Sequence, residues 1–332
     1  MDDYIAYNSK VSVAVFAYNS ERTVIETLNS IRDQTYRNIE LIINDDCSND
    51  RTVFIVQKWL DENKNIKARL HKNERNLGLN KSFNTLLEQV ESEWIKVIAA
   101  DDILLPDCIE NNVKYVKEND INTALFSIHK VFVDKGRNKE IQGIDLTRVA
   151  YTDYVLKKNA AKQYKEIIKQ DTSFTPTGFY NVKLLKKIGG TSECVKNIED
   201  WPLRLNIVKN GYKMYFMDKV TVLYRFGDSI SNSKEGYINS RFVKEQRDLK
   251  ETIIYPVISK WDVIYWEGEL ISRFQTWIVL NVLRNKNTRF TKIVSRVIAA
   301  ANLEKVRRRI KCKIIEKRYI AQNGDLYASK EY

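Results

Sequence analysis

Two adjacent carboxylates, Asp101 and Asp102, are the residues of this sequence with the clearest capacity for chemistry. They follow an apolar run, residues 94–100, which has the length and composition of a buried strand. Two like charges side by side repel each other, and a bound divalent cation would balance them. Magnesium and manganese prefer carboxylate oxygens and leave coordination positions open for phosphates. A solvated turn that caps the next helix is the other interpretation of this stretch taken alone.

A second acidic pair, Glu199 and Asp200, precedes a predicted helix that has Pro202 in its first turn, where the missing N–H costs nothing. A carboxylate aimed at a hydroxyl proton is the usual general base. Negative charge that complements the helix dipole is the alternative role. Asp46 ends another apolar run, where it could contact a ligand or, with Ser48 and its neighbours, only shape the turn.

The elements that must position these residues alternate between strands and helices. Helical and strand periodicities predict four strands that alternate with four helices. The strands are residues 11–16, 39–43, 68–71 and 94–100, and the helices are residues 24–31, 53–60, 83–90 and 106–117. Short connections between alternating elements predict an α/β fold with a mostly parallel central sheet and right-handed crossovers. Open sheets of this kind bind ligands at the carboxyl ends of their strands, where both Asp46 and Asp102 would lie.

The second half of the chain is predicted in less detail. The pattern indicates, in order, strand 123–134, helix 182–188, a helix that begins near Pro202 and ends at Gly211, strands 212–216 and 220–224, and helices from about 239 to 319. Residues 136–172 are polar and mixed, and we interpret them as an insertion or a lid.

Several classes of protein are excluded by what the sequence lacks. No G-x-G-x-x-G follows the first strand and no P-loop occurs, which argues against dinucleotide and P-loop nucleotide folds. The four cysteines are scattered and only two histidines occur, so a zinc site is not expected and a reducing cytoplasm is indicated. The acidic N-terminus differs from a secretory signal, and no apolar run approaches the roughly 18 residues of a membrane span. We therefore expect a cytoplasmic chain, soluble or peripheral.

The positive charge is concentrated in one segment. The chain has a net charge of +12, and residues 284–318 hold 13 Lys and Arg against two acidic residues. Apolar residues recur at near-helical spacing among these cations: Phe290, Ile293, Val294, Val297, Ile298, Val306, Ile310, Ile314 and Ile315. The segment contains no nucleic-acid recognition motif and few aromatic residues, which argues against nucleic-acid binding. A solvated helix is a second interpretation, and a helix lying on the anionic inner face of the cell membrane is the one we favour.

The combined motifs resemble glycosyltransferase family 2, whose members have the GT-A nucleotide-sugar-binding fold. The resemblance covers residues 11–232 and is carried by residues 11–21, 28–50, 76–84, 100–103, 199–201 and 224–225. It implies a GT-A domain over residues 1–232, with a nucleotide-sugar half at about 10–120 and an acceptor half at about 121–232. Residues 233–332 would then be a helical C-terminal extension.

The resemblance also implies roles for individual residues. Asp102 would bind Mg²⁺ or Mn²⁺ directly, with Asp101 on the metal or the ribose. Asp200 would be the catalytic base, and Glu199 would orient it or bind the acceptor. The nucleotide-sugar-binding residues would be Asp46 on the uracil N3–H, Ala17, Tyr18, Asn19 and Glu21 around the base and ribose, Gly78 in a closely approaching loop, and Lys81 towards the diphosphate. Tyr18 could equally be core, Asn19 a helix cap and Lys81 an ordinary solvated lysine.

Three positions depart from the family's usual pattern. Ala99 stands where the first Asp of the metal motif often occurs, Phe83 where an Arg is common, and Phe226 where a His often follows Tyr-Arg. The acceptor side is therefore the least transferable part of the resemblance.

The sequence predicts a metal-dependent inverting glycosyltransferase that transfers a sugar from a UDP-sugar to a glycan hydroxyl. A lipid-linked acceptor in surface-polysaccharide (O-antigen or capsule) synthesis would suit the basic segment. The alternative is a non-catalytic nucleotide-binding or membrane-associated scaffold protein that retains the fold.

Overall fold

A computed structural model of the chain describes residues 9–135, 138–170, 175–227 and 236–324. Contacts divide it into two compact units. The first unit takes the described residues within 1–144, 155–167 and 171–226, and the second takes those within 145–154, 168–170 and 227–332. The predicted boundary at residue 232 lies outside the described residues, as do 136, 137, 171 and 172 of the predicted insertion.

The first unit alternates strands and helices. Its strands are β1 (Val11–Ala17), β2 (Ile39–Asp45), β3 (Ala68–Lys72), β4 (Trp94–Ala99), β5 (Ile103–Leu104), β6 (Ala124–Lys135), β7 (Asn138–Ile141), β8 (Phe179–Asn181) and β9 (Met214–Arg225). Its helices are α1 (Val24–Arg32), α2 (Thr52–Glu62), α3 (Leu79–Glu88), α4 (Cys108–Glu118), α6 (Ala160–Ile167), α7 (Val182–Ile188) and α8 (Asp200–Lys209). α5 (Leu146–Leu156) lies mostly in the second unit.

One mixed sheet runs through the first unit in the order β3-β2-β1-β4-β8-β6-β9-β5, with β7 paired to β6. The strands from β3 to β4 pair in parallel, as the alternation predicts. Beyond β4 the direction alternates, because β8 pairs antiparallel with both β4 and β6, whereas β6 and β9 are parallel. The parallel character is therefore confined to the first four strands and the β6–β9 pair.

The core lies on both faces of the parallel strands. In β1, Val13 and Val15 on one face and Ala14 on the other are 0% exposed, and in β2 Leu41 on one face is 0% and Ile42 on the other is 1% exposed. Burial of both faces explains why these segments show no polar alternation. Helices α1 and α2 add Leu28, Ile31, Val56 and Trp59 to the same cluster. The apolar runs of the sequence were thus a reliable guide to the buried strands.

Two predicted strands, 212–216 and 220–224, form one continuous strand, β9. The exposed pair Asp218 and Lys219 resembles a turn in the sequence. In the structure the register between β6 and β9 shifts around Ile128, and this bulge lets pairing continue past the polar residues. The prediction of a break was wrong because a bulge absorbs the irregularity within the sheet.

The second unit is built from helices. These are most of α5, α9 (Ser240–Leu249), α10 (Val263–Trp277), α11 (Arg289–Ala300) and α12 (Leu303–Asn323), with π-helical turns at Lys250–Ile254 and Ile278–Val282. Gln275 of α10 donates to Ser295 Oγ of α11 at 2.6 Å, and Asn302 Nδ2, at the N-cap of α12, donates to the Gly268 carbonyl of α10 at 2.8 Å. None of the described helices is long and apolar enough to cross a membrane.

Gly78 is required by the approach of two segments of the first unit. Its φ is +81°, and a Cβ added there would lie 2.8 Å from Lys196 Cβ and 2.9 Å from the Lys196 carbonyl oxygen. Gly189, at the C-cap of α7, has a similar φ of +77°, but a Cβ added there would meet nothing within 4 Å. An added side chain would therefore meet backbone strain at both glycines, but steric crowding only at Gly78.

We expect Gly78→Ala to lower the free energy of unfolding by about 3 kcal/mol, because the substitution adds crowding to strain in a glycine-only region. Gly189→Ala, the matched control, should cost only about 1 kcal/mol of left-handed strain. Urea unfolding of both variants measures the difference. Equal losses would contradict the close packing of Gly78 on Lys196.

Candidate functional site

The strands that precede Asp46 and Asp101 end at one edge of the sheet. Phe16 near the end of β1 is paired with Asn44 of β2 and Ala99 of β4, so the three strands end side by side. Strand β6 is antiparallel to β8, and β8 is antiparallel to β4, so β6 and its parallel partner β9 run in the same direction as β4. The carboxyl ends of β6 and β9, where Asp134 and Arg225 lie, are therefore at the same edge. This carboxyl edge is where open α/β sheets bind ligands.

The turns after β1 and β2 are joined to each other by hydrogen bonds. The Asn19 N–H donates to Ser48 Oγ at 2.9 Å, and the Asn49 N–H donates back to Asn19 Oδ1 at 2.8 Å. The Glu21 carboxylate accepts the Arg51 N–H at 3.1 Å. Asn19 adopts a φ of +51°, which its short polar side chain tolerates. These bonds give the predicted pocket wall a fixed shape.

Asp46 is an organising residue of the same edge. Its carboxylate accepts four hydrogen bonds, from Asn73 Nδ2 (2.8 Å), the Leu77 N–H (2.8 Å), the Gly78 N–H (2.9 Å) and Ser82 Oγ (3.1 Å). The side chain therefore ties the 73–78 loop and the start of α3 to the end of β2. A contact of Asp46 with a nucleotide base stays a prediction beside this evident structural role.

Residues 100–104, here called the acidic turn, carry Asp101 and Asp102 and are held by hydroxyls from α1 and its N-cap. Thr23 Oγ1 donates to the Ala100 carbonyl (2.8 Å), Thr27 Oγ1 donates to the Asp102 carbonyl (2.7 Å), and Ser30 Oγ accepts the Leu104 N–H (3.1 Å). Because residues spaced by three and four lie on one helix face, a single face of α1 fixes the backbone of the turn.

Of the two carboxylates of the acidic turn, Asp102 is buried and Asp101 is half-buried. Burial raises the pKa of Asp101, although the nearby Arg225 opposes the shift. Burial, and then the neighbouring Asp101 charge, raise the pKa of Asp102 well above its usual value. Burial is thus the main cause of both shifts, and repulsion between the two carboxylates adds to the shift of Asp102. A divalent cation would balance the charge of both carboxylates.

The donor set fits a magnesium or manganese ion. Asp102 Oδ1 accepts the Arg225 N–H at 2.9 Å, and among the described residues no hydrogen-bond donor reaches Oδ2. No group of three or more metal-ligating side chains occurs in the described part of the chain. Such ions are commonly held by one or two carboxylates together with substrate phosphates, so two hard oxygen donors at a ligand-binding edge are sufficient.

Behind the acidic turn lies a buried lysine that sequence reasoning did not single out. Lys96 of β4 is 0% exposed, and its Nζ donates to the Pro176 carbonyl at 2.7 Å. Burial lowers the pKa of Lys96 to about 8, although Cys108 and Asp102 nearby act to raise it. The lysine thus anchors the 175–177 turn at the same edge. Nothing in the apolar run marked it as buried except its position between Ile95 and Val97.

The second acidic pair stands at the start of α8. Glu199 occupies the N-cap position, and Asp200 is the first helical residue. Asp200 pairs with Arg204 at 3.2 Å, and the Arg204 side chain is only 1% exposed. A buried guanidinium one turn along the helix fixes the orientation of the carboxylate. Trp201 anchors the helix further, because its Nε1–H donates to the Ile167 carbonyl of α6 at 2.8 Å.

The segment that precedes this pair is hydrogen-bonded to helix α3. The Asn80 side chain, in the first turn of α3, donates to the carbonyls of Ser192 (2.6 Å) and Ile198 (3.0 Å). Asn84, one turn later, donates to the Thr191 carbonyl at 2.9 Å and accepts the Thr191 N–H at 3.0 Å. The 191–198 segment is therefore clamped onto α3, which positions Glu199 and Asp200 in the first unit.

The remaining predicted residues differ in how open they are. Tyr18 is 38% exposed and Lys81 is exposed on α3, so both side chains are free to meet a ligand. Ala17 is 2% exposed and belongs to the core cluster. The roles predicted for all of these positions stay predictions.

Sequence reasoning also did not assign Arg225 a role in the site, although the Tyr224-Arg225 motif was recognised. Its backbone N–H holds Asp102 and its side chain reaches three further groups. Two of those groups, Glu26 and Asp134, lie far away in the chain, so no local pattern could have predicted the cluster.

Comparison with solved structures identifies the fold class. A crystal structure of Staphylococcus aureus TarS 1-349 in complex with UDP-GlcNAc is similar with a TM-score of 0.52 and 19% identity, covering 94% of this chain and 92% of that one. The mannosyltransferase PcManGT from Pyrobaculum calidifontis, in complex with GDP-Man and Mn²⁺, has a TM-score of 0.52 and 17% identity, covering 96% and 76%. The predicted GT-A fold is confirmed.

Sequence comparison identifies the family. A family model described as "Glycosyl transferase family 2" matches residues 12–189, which is more than half of the chain. The chain belongs to this family and is a glycosyltransferase.

Two relatives illustrate the range of similarity. WfgD of Escherichia coli, named UDP-Glc:alpha-D-GlcNAc-diphosphoundecaprenol beta-1,3-glucosyltransferase, is 25% identical over 264 residues, covering 80% of this chain and 87% of WfgD. An uncharacterized glycosyltransferase of Haemophilus influenzae is 38% identical over 125 residues, which cover only 38% of each protein.

Lys96 should leave a signature in the pH dependence of stability. Below pH 8 the lysine is protonated in both states, so the burial cost is fully present. As pH rises above 8 the folded state releases the proton first, and stability rises by about 1.4 kcal/mol per pH unit until the unfolded lysine also titrates.

We therefore expect the wild-type free energy of unfolding, relative to that of Lys96→Met, to rise by about 2 kcal/mol between pH 7.5 and 9.5. The paired comparison cancels the other groups that titrate in this range. Denaturant unfolding at both pH values measures the change, and a pH-independent difference would contradict a charged buried lysine.

Proposed function

We propose that the protein is a metal-dependent inverting glycosyltransferase that transfers a sugar from a UDP-sugar to a hydroxyl of a glycan acceptor. The observation that carries the proposal is the Asp101–Asp102 pair at the carboxyl edge of the parallel strands, with Asp102 buried and Asp101 half-buried. The names of similar proteins support it, since WfgD uses UDP-Glc and TarS was crystallised with UDP and with UDP-GlcNAc. The Mn²⁺ in the PcManGT complex supports the metal requirement.

Each acidic pair has its own task in this proposal. A divalent cation held by Asp101 and Asp102 would stabilise the negative charge that develops on the departing nucleoside diphosphate. Asp200 would accept the proton of the acceptor hydroxyl, and Arg204 would keep its carboxylate oriented. Attack opposite to the leaving group inverts the anomeric carbon, so an α-linked donor would give a β-linked product. Glu199 would orient the base or bind the acceptor.

The donor side of the proposal is tested by titrating UDP into the protein with Mn²⁺ and then with EDTA. We expect binding that requires the metal and that is lost in Asp102→Ala, because the substitution removes a ligand. Asp61→Asn, an exposed carboxylate on α2, is the control and should bind UDP normally. Absence of UDP binding in both conditions would refute the UDP assignment, and GDP and dTDP would then be tested.

The catalytic side is tested separately. Asp200→Asn should bind UDP and Mn²⁺ as the wild type does, while sugar transfer falls by at least about a hundredfold, because general bases contribute factors of this order. Donor binding is measured by calorimetry and transfer by release of UDP. A variant that keeps wild-type turnover would exclude Asp200 as the base. A wild-type protein that binds the donor without any turnover would favour the scaffold alternative.

We further propose that the acceptor is lipid-linked and that the protein lies on the inner face of the cell membrane through residues 284–318. The diphosphoundecaprenol acceptor in the name of WfgD supports the first part. Helix α11 supports the second, because it exposes three large apolar residues: Phe290 is 64%, Ile293 59% and Val297 67% exposed, while Val294 and Ile298 are half-buried. Its buried residues are the small polar Thr291 and Ser295, which is the reverse of an ordinary surface helix.

Charge completes this argument. Arg289, Lys292 and Arg296 of α11 are exposed beside the apolar stripe. Helix α12 repeats the arrangement with exposed Leu303, Val306, Ile310 and Ile314 among further lysines and arginines. Ile315, which the sequence placed in the same stripe, is 8% exposed and packs inward instead. Aliphatic side chains flanked by cations suit an anionic lipid surface better than nucleic acid.

We expect the protein to co-sediment with vesicles that contain phosphatidylglycerol and to bind pure phosphatidylcholine vesicles weakly, with binding reduced by salt. Phe290→Ser should weaken binding by about tenfold or more, since burying a Phe side chain contributes about 1.5–3 kcal/mol. Phe54→Ser is the matched control, because Phe54 on α2 is 61% exposed. Equal effects of the two substitutions would contradict docking through α11.

A further inference from the structure

Arg225 connects four groups that come from three different parts of the first unit. Its backbone N–H donates to Asp102 Oδ1 at 2.9 Å, and its side-chain Nε donates to the Asp101 carbonyl at 2.7 Å. Its two terminal nitrogens form ion pairs with Glu26 of α1 and with Asp134 at the end of β6. Both the backbone and the side chain of one residue thus contact the acidic turn.

The guanidinium of Arg225 is fixed in a single orientation. Its central carbon lies 4.6 Å from the centre of the Phe132 ring, and the side chain is only 10% exposed. Lys139 of β7 pairs with the same Glu26 at 3.0 Å. Burial acts to raise the pKa of Glu26, but the hydrogen bonds from Arg225 and Lys139 lower it overall, so Glu26 is ionised at neutral pH. A planar fork between two carboxylates and a ring has little freedom to rotate.

The two ion pairs of Arg225 serve to orient its side chain and contribute little to stability. Glu26 and Asp134 are 41% and 44% exposed, and pairs of that kind add little to stability. What they do is fix Arg225 in the position from which Nε reaches the Asp101 carbonyl. The pairing of Phe132 with Arg225 in the sheet fixes the backbone N–H that holds Asp102.

As a result, one oxygen of the Asp102 carboxylate is hydrogen-bonded and the other is available to bind a cation. Oδ1 accepts the Arg225 N–H, whereas no donor among the described residues reaches Oδ2. The hydroxyls of α1 hold the acidic turn from one side through its backbone. From the β9 side, Ile103 and Leu104 of the turn pair with Leu223 and Val222, and Arg225 adds the contacts that reach Asp101 and Asp102 themselves.

We propose that Arg225 is a positioning residue for the cation site: it holds the acidic turn in the geometry that presents Asp102 to a divalent cation. Glu26 and Asp134 orient Arg225 and so act one step further away. The proposal rests on the proposed function, because it assumes that the acidic turn binds the cation. Partners that orient metal ligands typically contribute ten- to a hundredfold to metal affinity.

The test is Mn²⁺ affinity, measured by calorimetry at saturating UDP, in wild type, Arg225→Gln and Arg225→Lys. Arg225→Gln should bind Mn²⁺ about ten- to a hundredfold more weakly, because the turn loses its side-chain contact. Arg225→Lys should recover only part of the loss, since one ammonium cannot reach the Asp101 carbonyl and both carboxylates together. The double variant Glu26→Gln/Asp134→Asn, which leaves Arg225 in place, should show a smaller loss.

Arg69→Gln is the matched control. Arg69 lies on β3 at the other end of the sheet, is 45% exposed and pairs with Glu40 at 3.4 Å. Its removal should leave Mn²⁺ affinity unchanged. Amide hydrogen exchange of each variant shows that the sheet is still folded, and in Arg225→Gln faster exchange should be confined to the acidic turn and its neighbours.

The outcomes separate this proposal from the proposed function. A folded Arg225→Gln variant that binds Mn²⁺ with wild-type affinity would overturn the positioning role alone. A wild-type protein that binds no Mn²⁺ would overturn the metal-dependent function, and the positioning role with it. Loss in Arg225→Gln with full recovery in Arg225→Lys would show that only charge matters, which would also overturn the proposed geometry.

Discussion

The pair of adjacent carboxylates at Asp101 and Asp102 is the constraint on which the rest of the site depends. Burial raises the pKa of both groups, and the neighbouring Asp101 charge raises the pKa of Asp102 further. A backbone that had to resist the repulsion without support would relax. The fold supplies support from two sides, with hydroxyls of the α1 segment on one and Arg225 on the other. At the edge where a nucleotide sugar would bind, the two carboxylates would gain from a cation that balances their charge.

Rigidity at this edge comes from bonds between loops as much as from the sheet. Asp46 gathers the 73–78 loop, Asn80 and Asn84 clamp the 191–198 segment, and Lys96 holds the 175–177 turn. Each is a polar side chain that satisfies backbone groups of a loop, which a loop cannot do by itself when it is buried. A transferase benefits from such preorganisation, because donor, cation and base must be held within a fraction of an ångström.

The helices of the second unit expose large apolar side chains. Helix α11 buries the small polar Thr291 and Ser295, and both α11 and α12 expose several large apolar side chains. In water this pattern costs free energy, and a large exposed apolar surface normally marks an interaction site. The cations beside it match the anionic lipid surface that we propose as the partner of this unit.

The sequence by itself determined the alternating elements of the first four strands, the apolar runs that became the core, and the two acidic pairs at the ends of elements. These features are local, because hydrophobic period and strand ends are written within a few residues. It also carried the family resemblance. The break predicted in β9 was wrong, because a bulge depends on the partner strand. Only the tertiary structure decided that Lys96 is buried and that Asp46 accepts hydrogen bonds from the 73–78 loop and α3. It also decided that α11 buries small polar side chains while it exposes large apolar ones, and that Arg225 joins Glu26, Asp134 and the acidic turn. Those contacts join residues separated by up to 199 positions, and such pairings exist only once the chain has folded.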